Sequence, residues 1–231
     1  MPAKASGFKS QEEYKDLKHD KRMIDNFTEI KHILFNQQDK IDNDAFYHLQ
    51  IIKRKKDIEG LGCNNLLLKA ILIDNEHPLD KFKSDIIDMC EHFQARAYIN
   101  VGPKSKKKVA IHMLNSLAEC FEKNDFNYTK RIWNTSAGSA APILKRWIID
   151  CDFSEEFTMK DIQKIINIVH ESNPEGYKMI GIIPTLHGVH IITTPFDSRR
   201  LKEEYPKIDI HKNNPTVLYV PSSITQGGAT S

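Results

Sequence analysis

Residues 177–193 carry two apolar runs, Tyr177–Ile183 and Val189–Thr193, separated by a few residues that include Gly188. A connection that short lets two extended segments pair only antiparallel, because a parallel crossover needs a dozen residues or more. Similar short apolar runs recur through the second half of the chain. Arg146–Asp152 (RWIIDCD), Ile208–Ile210 and Val217–Val220 read as strands, and Thr158–Glu171 and Asp197–Glu204 as helices. Thr158 and Asp161 have the spacing of a capping box, which marks a helix start.

The first half is patterned differently. Residues 22–36 show a helical period through Met23, Phe27, Ile30 and Ile33 or Leu34. Ala45–Ile52 and Leu66–Ile73 are strand-like, and the segment between them holds Gly60, Gly62 and Asn64, residues suited to a turn or loop. An amphipathic helix is expected over 78–93, a strand over 95–101, and a lysine-rich helix over about 104–123. The last has an apolar stripe of Val109, Met113, Leu114, Leu117 and Phe121. Residues 124–144 lack clear periodicity and read as a long loop with at most one short helix. Together these patterns predict an α+β fold, a mixed or antiparallel sheet backed by helices. The expected organisation is a disordered segment over 1–20, an N-terminal α/β module over 21–144, a second module over 145–223 and a disordered tail over 224–231.

Composition narrows the partners. The chain has 231 residues, of which 40% are hydrophobic, enough for a sizeable core. Its net charge is only +2, so any nucleic-acid surface must come from local clusters of Lys and Arg. The cysteines are Cys63, Cys90, Cys120 and Cys151; they form no C-x-x-C pair, and no zinc site is expected. No run approaches the roughly 20 apolar residues of a membrane span, and the N-terminus lacks a signal-peptide core. A soluble, cytoplasmic protein without a membrane partner is the expectation.

Three segments carry candidate chemistry. In W-I-I-D-C-D, alternation along a strand sets Asp150 and Asp152 on one face and Cys151 on the other. Two adjacent carboxylates repel, and a hard divalent cation relieves that repulsion. The ordinary alternative is a solvated acidic pair where a strand meets its loop. In I-P-T-L-H-G-V-H-I-I, His190 follows a glycine turn into an apolar strand, where a ring N–H can meet a phosphate or simply satisfy a backbone carbonyl. In K-I-D-I-H-K, Asp209 interrupts an apolar run. It supplies the third carboxylate of a two-metal site, or faces solvent on an edge strand.

In this order the three segments resemble the archaeo-eukaryotic primase (primase-polymerase) superfamily. Its members show an apolar strand ending in Asp-x-Asp or Asp-x-Glu. A small-residue–x–His element leading into an apolar strand comes next, then an apolar residue followed by Asp or Glu. Trp147–Asp152, Gly188-Val189-His190 with Ile191-Ile192, and Ile208-Asp209 match these elements, and V-L-Y-V-P-S-S at 217–223 is similar to the strand that follows them. The resemblance spans 146–223 and lacks the zinc-binding element common among primase catalytic subunits. It implies a metal-dependent nucleotidyltransferase in which Asp150, Asp152 and Asp209 bind two Mg²⁺ or Mn²⁺ ions. His190, beside Gly188, would contact the triphosphate. Lys145, Arg146, Arg199 and Arg200 are neighbouring candidates for phosphate contacts, although no family motif fixes them. The implied partners are a single-stranded nucleic-acid template, nucleoside triphosphates and replication proteins. A nuclease or phosphoesterase with the same acids, or a non-catalytic replication accessory protein of the same fold, are the alternatives.

Two basic runs are candidates for phosphate-backbone contacts, Lys53-Arg54-Lys55-Lys56 and Lys104 with Lys106-Lys107-Lys108. The second opens a helix, where positive charge opposes the helix dipole. Arg96 and Tyr98, two residues apart on a strand, are candidates for a base-stacking edge, and so is Trp133. Solvated faces, a rim Arg on Tyr and a loop-anchoring Trp are the bland counterparts.

Overall fold

The computed structural model describes residues 23–35, 42–57, 61–75, 77–154 and 157–226, so the expectations of disorder over 1–20 and 227–231 lie outside it. The strand-like runs form ten strands and the helical periods seven α-helices among these residues. In chain order they are β1 (Ile24–Asp25), α1 (Phe27–Phe35), β2 (Ala45–Arg54), β3 (Asn65–Ile73), α2 (Lys83–Phe93), β4 (Arg96–Asn100), β5 (Lys104–Ser105) and α3 (Lys106–Lys123). Then follow α4 (Ile132–Ser139), β6 (Trp147–Asp152), α5 (Met159–Glu171), β7 (Met179–Pro184), β8 (Gly188–Thr193), α6 (Arg199–Glu204), β9 (Asp209–His211), β10 (Pro215–Val220) and α7 (Ser222–Gln226).

The fold is α+β, and its strand pairs are antiparallel. One sheet runs β1-β10-β4-β2-β3, with β5 also on β2, and the other runs β7-β8-β6-β9. The boundary drawn at residue 145 does not separate two closed units. β10, from the C-terminal part, inserts between β1 and β4 of the first sheet. Ile148, Ile183 and Ile192 of the second sheet share a core with Leu49, Ile99 and Leu218 of the first. The opposite face of the second sheet (Ile149, Cys151, Val189 and Ile191) packs on the buried stripe of α5, Ile162, Ile165, Ile166 and Val169. The capping box forms as expected, with the Thr158 backbone N–H donating to Asp161 at 2.9 Å.

The structure corrects three local expectations. Residues 24–25 are strand and the first helix begins only at Phe27. The cause is Asn26, which is buried and donates its side-chain amide to Pro184 O and Val217 O, tying that stretch to both sheets. The start of the expected disordered tail is helical through Gln226. The apolar stripe assigned to α3 splits. Val109 is buried with Met113 packed beside it, whereas Leu114 and Phe121 are exposed. No helix among the described residues is long and apolar enough to cross a membrane.

Candidate active site

The antiparallel register of the second sheet determines which residues meet. β6 is flanked by β8 on one side and β9 on the other. Asp150 is the cross-strand partner of His190 on β8 and of Asp209 on β9, and Asp152 is the partner of Gly188. Directly paired residues share a face, so Asp150, His190 and Asp209 stand in one row, with Asp152 two residues further along β6. Ile148, on the same face, is buried under the first sheet. The row therefore lies where the shared apolar core gives way to a cavity.

Gly188 makes the close approach possible. A Cβ built there would lie 1.8 Å from the carbonyl oxygen of Cys151, so β8 can start against β6 only with glycine at this point. The turn before it is closed by Thr185, whose N–H donates to Gly188 O at 2.9 Å and whose hydroxyl accepts from Gly188 N at 3.0 Å. The role of Gly188 visible here is thus packing against β6, and it bears on His190 by placing the start of its strand.

Asp150 is the electrostatic centre of the row. His190 Nε2 lies 3.3 Å from one carboxylate oxygen, and His211 Nε2 lies 3.8 Å from the other. The hydrogen bond from His190 is the main reason its carboxyl is held below the usual range; burial opposes this, and the charges of both histidines add to it. The other ring nitrogen of His190, Nδ1, is 2.8 Å from the hydroxyl of Thr216. Thr216 is fully buried on β10, so this contact joins the candidate site to the first sheet. Asp150, Asp152 and Asp209 line one cavity of about 430 Å³, whose wall includes Phe157, Tyr205 and Lys207. Among the described residues, no three His, Cys, Asp or Glu side chains are already gathered as a ligand group.

His211, Thr216 and Lys207 were not singled out from sequence. A usable signal existed for two of them. Lys207 and His211 flank Asp209 at two-residue spacing, which in a strand repeats one face. Thr216 had none, because its importance arises from the return of β10 into the other sheet.

The remaining candidates are placed elsewhere. Arg146 is buried and donates to the carbonyls of Ile33 at 3.3 Å and Val101 at 3.0 Å, an internal tie between elements. Arg199 pairs with Asp197, and Arg200 with Glu171 and Glu204. Lys145 is exposed. Lys104 is fully buried, donates to Gly138 O and Ala140 O at the end of α4, and is lowered to about 8 by burial. Arg96 is buried against Asp57, its Nε 2.7 Å away, so it offers no stacking edge. Arg54 donates to the Tyr98 hydroxyl at 3.0 Å, and Lys53 lies over the Phe93 ring. Lys106 pairs with Asp74 at 2.6 Å. Lys55, Lys107 and Lys108 are exposed, and the Lys56 side chain lies outside the described residues. The lysines at the start of α3 carry less electrostatic cost than expected. Ser105 caps the helix by accepting from Lys108 N, and Asp44 accepts from Lys107 N at 2.9 Å, bringing negative charge to that terminus. Trp133 packs beside Phe46 and Val109, edge-on to His48, so it serves as an anchor.

No protein-family model, no curated protein and no solved structure matches this chain.

Proposed function

We propose that this chain is a metal-dependent nucleotidyltransferase of primase-polymerase type, acting on a single-stranded nucleic-acid template. One observation carries the reading. Asp150, His190 and Asp209, far apart in sequence, stand side by side across three neighbouring strands, and Asp150 and Asp209 line one cavity together with Asp152. The donor set fits hard divalent ions, since it offers carboxylate oxygens from Asp150, Asp152 and Asp209. Magnesium or manganese held there would supply the positive charge that phosphoryl transfer requires.

The chain's own groups have separable tasks. Asp150 stays charged because His190 and His211 flank it. Asp152 and Asp209 are exposed and free to turn toward an incoming ligand. The Lys207 ammonium in the cavity wall supplies donors for an entering triphosphate, while both ring nitrogens of His190 are engaged, one by Asp150 and one by Thr216. Phe157 and Tyr205 provide apolar wall against which a base or sugar can lie.

The test is nucleotide incorporation on single-stranded DNA, with and without a primer, in the presence of Mn²⁺. Wild type is compared with an Asp150→Ala, Asp152→Ala double variant. Incorporation by the wild type alone is the expected result. Template degradation without nucleotide consumption would redirect the same carboxylates to phosphodiester hydrolysis. DNA binding by both proteins with no turnover would leave a non-catalytic binding protein.

A further inference from the structure

Helix α3 has two apolar faces, and the structure uses only one. Val109 and Met113 turn toward α4 and the first sheet. Ile111, Leu114, Ala118 and Phe121 recur at intervals of three, four and three, which repeats one side of a helix every two turns. This side is open. Ile111 is 49% exposed, Leu114 66% and Phe121 71%. Phe126, just past the helix, extends the stripe by meeting the Phe121 ring edge-on at 5.3 Å. A row of large exposed apolar side chains at coiled-coil spacing marks an interaction surface.

The charges beside the row indicate what covers it. Lys107 and Lys108 stand at the start of the helix, while Glu119 and Glu122 stand near its end. Lys108 and Glu122 lie two full heptads apart, on the same flank of the stripe. Neither has an ion-pair partner among the described residues. A parallel copy would bring the two lysine-rich helix starts together and the two glutamate-bearing ends together. An antiparallel copy sets Ile111 against Phe121 and Leu114 against Ala118, and brings each Lys108 beside the other copy's Glu122. The surface is therefore complementary to itself under a two-fold axis, the commonest symmetry of soluble homo-oligomers.

We infer that α3 is the self-association surface of this protein, pairing antiparallel with α3 of a second copy. A single helix pair is a small interface, so the dimer is weak and concentration-dependent. This inference does not depend on the proposed enzymatic activity.

The test is sedimentation velocity on the full chain across a wide concentration range, read beside circular dichroism. Wild type should shift from monomer to dimer as concentration rises. Leu114→Lys should remain monomeric at concentrations where wild type dimerises, with an unchanged spectrum, because Leu114 is already exposed. Lys108→Glu and Glu122→Lys should each weaken association about tenfold, and combining them should restore it. A monomer at all concentrations, or a dimer indifferent to Leu114→Lys, would overturn the inference. So would failure of the combined charge swap to recover association, since that rules out the antiparallel copy as occupant.

Discussion

Both sheets carry ionisable groups in their interiors or at their edges, and the two sets behave differently. On the first sheet, Arg96 is locked to Asp57, Lys104 is spent on the carbonyls that end α4, and His48 is buried with its Nε2 3.0 Å from Asn134 Oδ1. Arg96 and Lys104 are held by partners within the fold, and none of the three lines the cavity beside Asp150. On the second sheet Asp150, Asp152 and Asp209 face open space. Among the described residues Asp150 alone of the three has ion-pair partners, and both are histidines. The contrast separates charge that holds the fold from charge left facing a cavity. Arg96, Lys104 and Lys106 are taken up by contacts within the fold, while the acids brought together by strand register line a cavity.

The largest effect that would sharpen this contrast is on activity. Replacing Asp150 and Asp152 with Ala should lower nucleotide incorporation by about a thousandfold or more, as loss of several kcal/mol of charge stabilisation implies. Lys104→Met, by contrast, should leave the rate per folded molecule unchanged while lowering the unfolding midpoint. If the two substitutions affected rate equally, the division between structural and functional charge would be wrong.

The next effect is on stability and belongs to the first sheet. Burial, helped by the Lys104 charge, pushes His48 from 6.5 down to about 4. Between those values the unfolded chain takes up a proton that the folded protein refuses, so stability falls as pH drops through that window. At about 1.4 kcal/mol per pH unit the loss approaches about 3 kcal/mol by pH 4. Urea unfolding of wild type and His48→Gln at pH 7 and pH 4.5 isolates the term, and the variant should show the flatter dependence. Asp150 acts below this window. Its carboxyl lies under 3.8, so the stability it contributes is present above that value and is lost only as pH falls further.

The site was more legible in the sequence than the connectivity around it. Period-two alternation placed Asp150 with Asp152, and the short connection through Gly188 made β7 and β8 antiparallel neighbours, because both are local properties of a strand. Which strand lay on the far side of β6 was not local. Nothing near residue 209 announces that it pairs with residue 150, and nothing near residue 216 announces that β10 leaves for the other sheet. Long-range pairing is decided by the packing of whole faces, such as Ile148, Ile183 and Ile192 against the first sheet. The basic candidates failed for a related reason. Lys104 and Arg96 read as exposed charge because the partners that bury them, α4 and Asp57, are remote in sequence.

Thr216 offers a smaller effect at the point where the two regions touch. Its hydroxyl is bonded to His190, which in turn reaches Asp150. Thr216→Val keeps the shape and removes the hydroxyl, freeing the ring to turn. Losses of about tenfold are typical when an orienting partner of a site residue is removed. Thr216→Ser should restore most of the activity. In a His190→Ala background the Val substitution should cost nothing further, since the two act as one unit. Additive losses would mean that Thr216 serves the first sheet alone.

The smallest expected effect concerns the exposed lysines, Lys55 and Lys107. Each is solvated, and they stand in runs whose other described members carry contacts within the fold, apart from Lys108. If they are solvated surface charge, Lys55→Gln with Lys107→Gln should leave the salt dependence of single-stranded DNA binding unchanged. If both neutralise backbone phosphates, the slope of log K against log salt should become shallower by about 1.4, at about 0.7 per contact on a single strand. The measurement separates the cases because it counts phosphate contacts rather than affinity, which a general change in net charge would also move. An unchanged slope would remove Lys55 and Lys107 from the candidate phosphate contacts and turn attention to Lys207, in the wall of the acidic cavity.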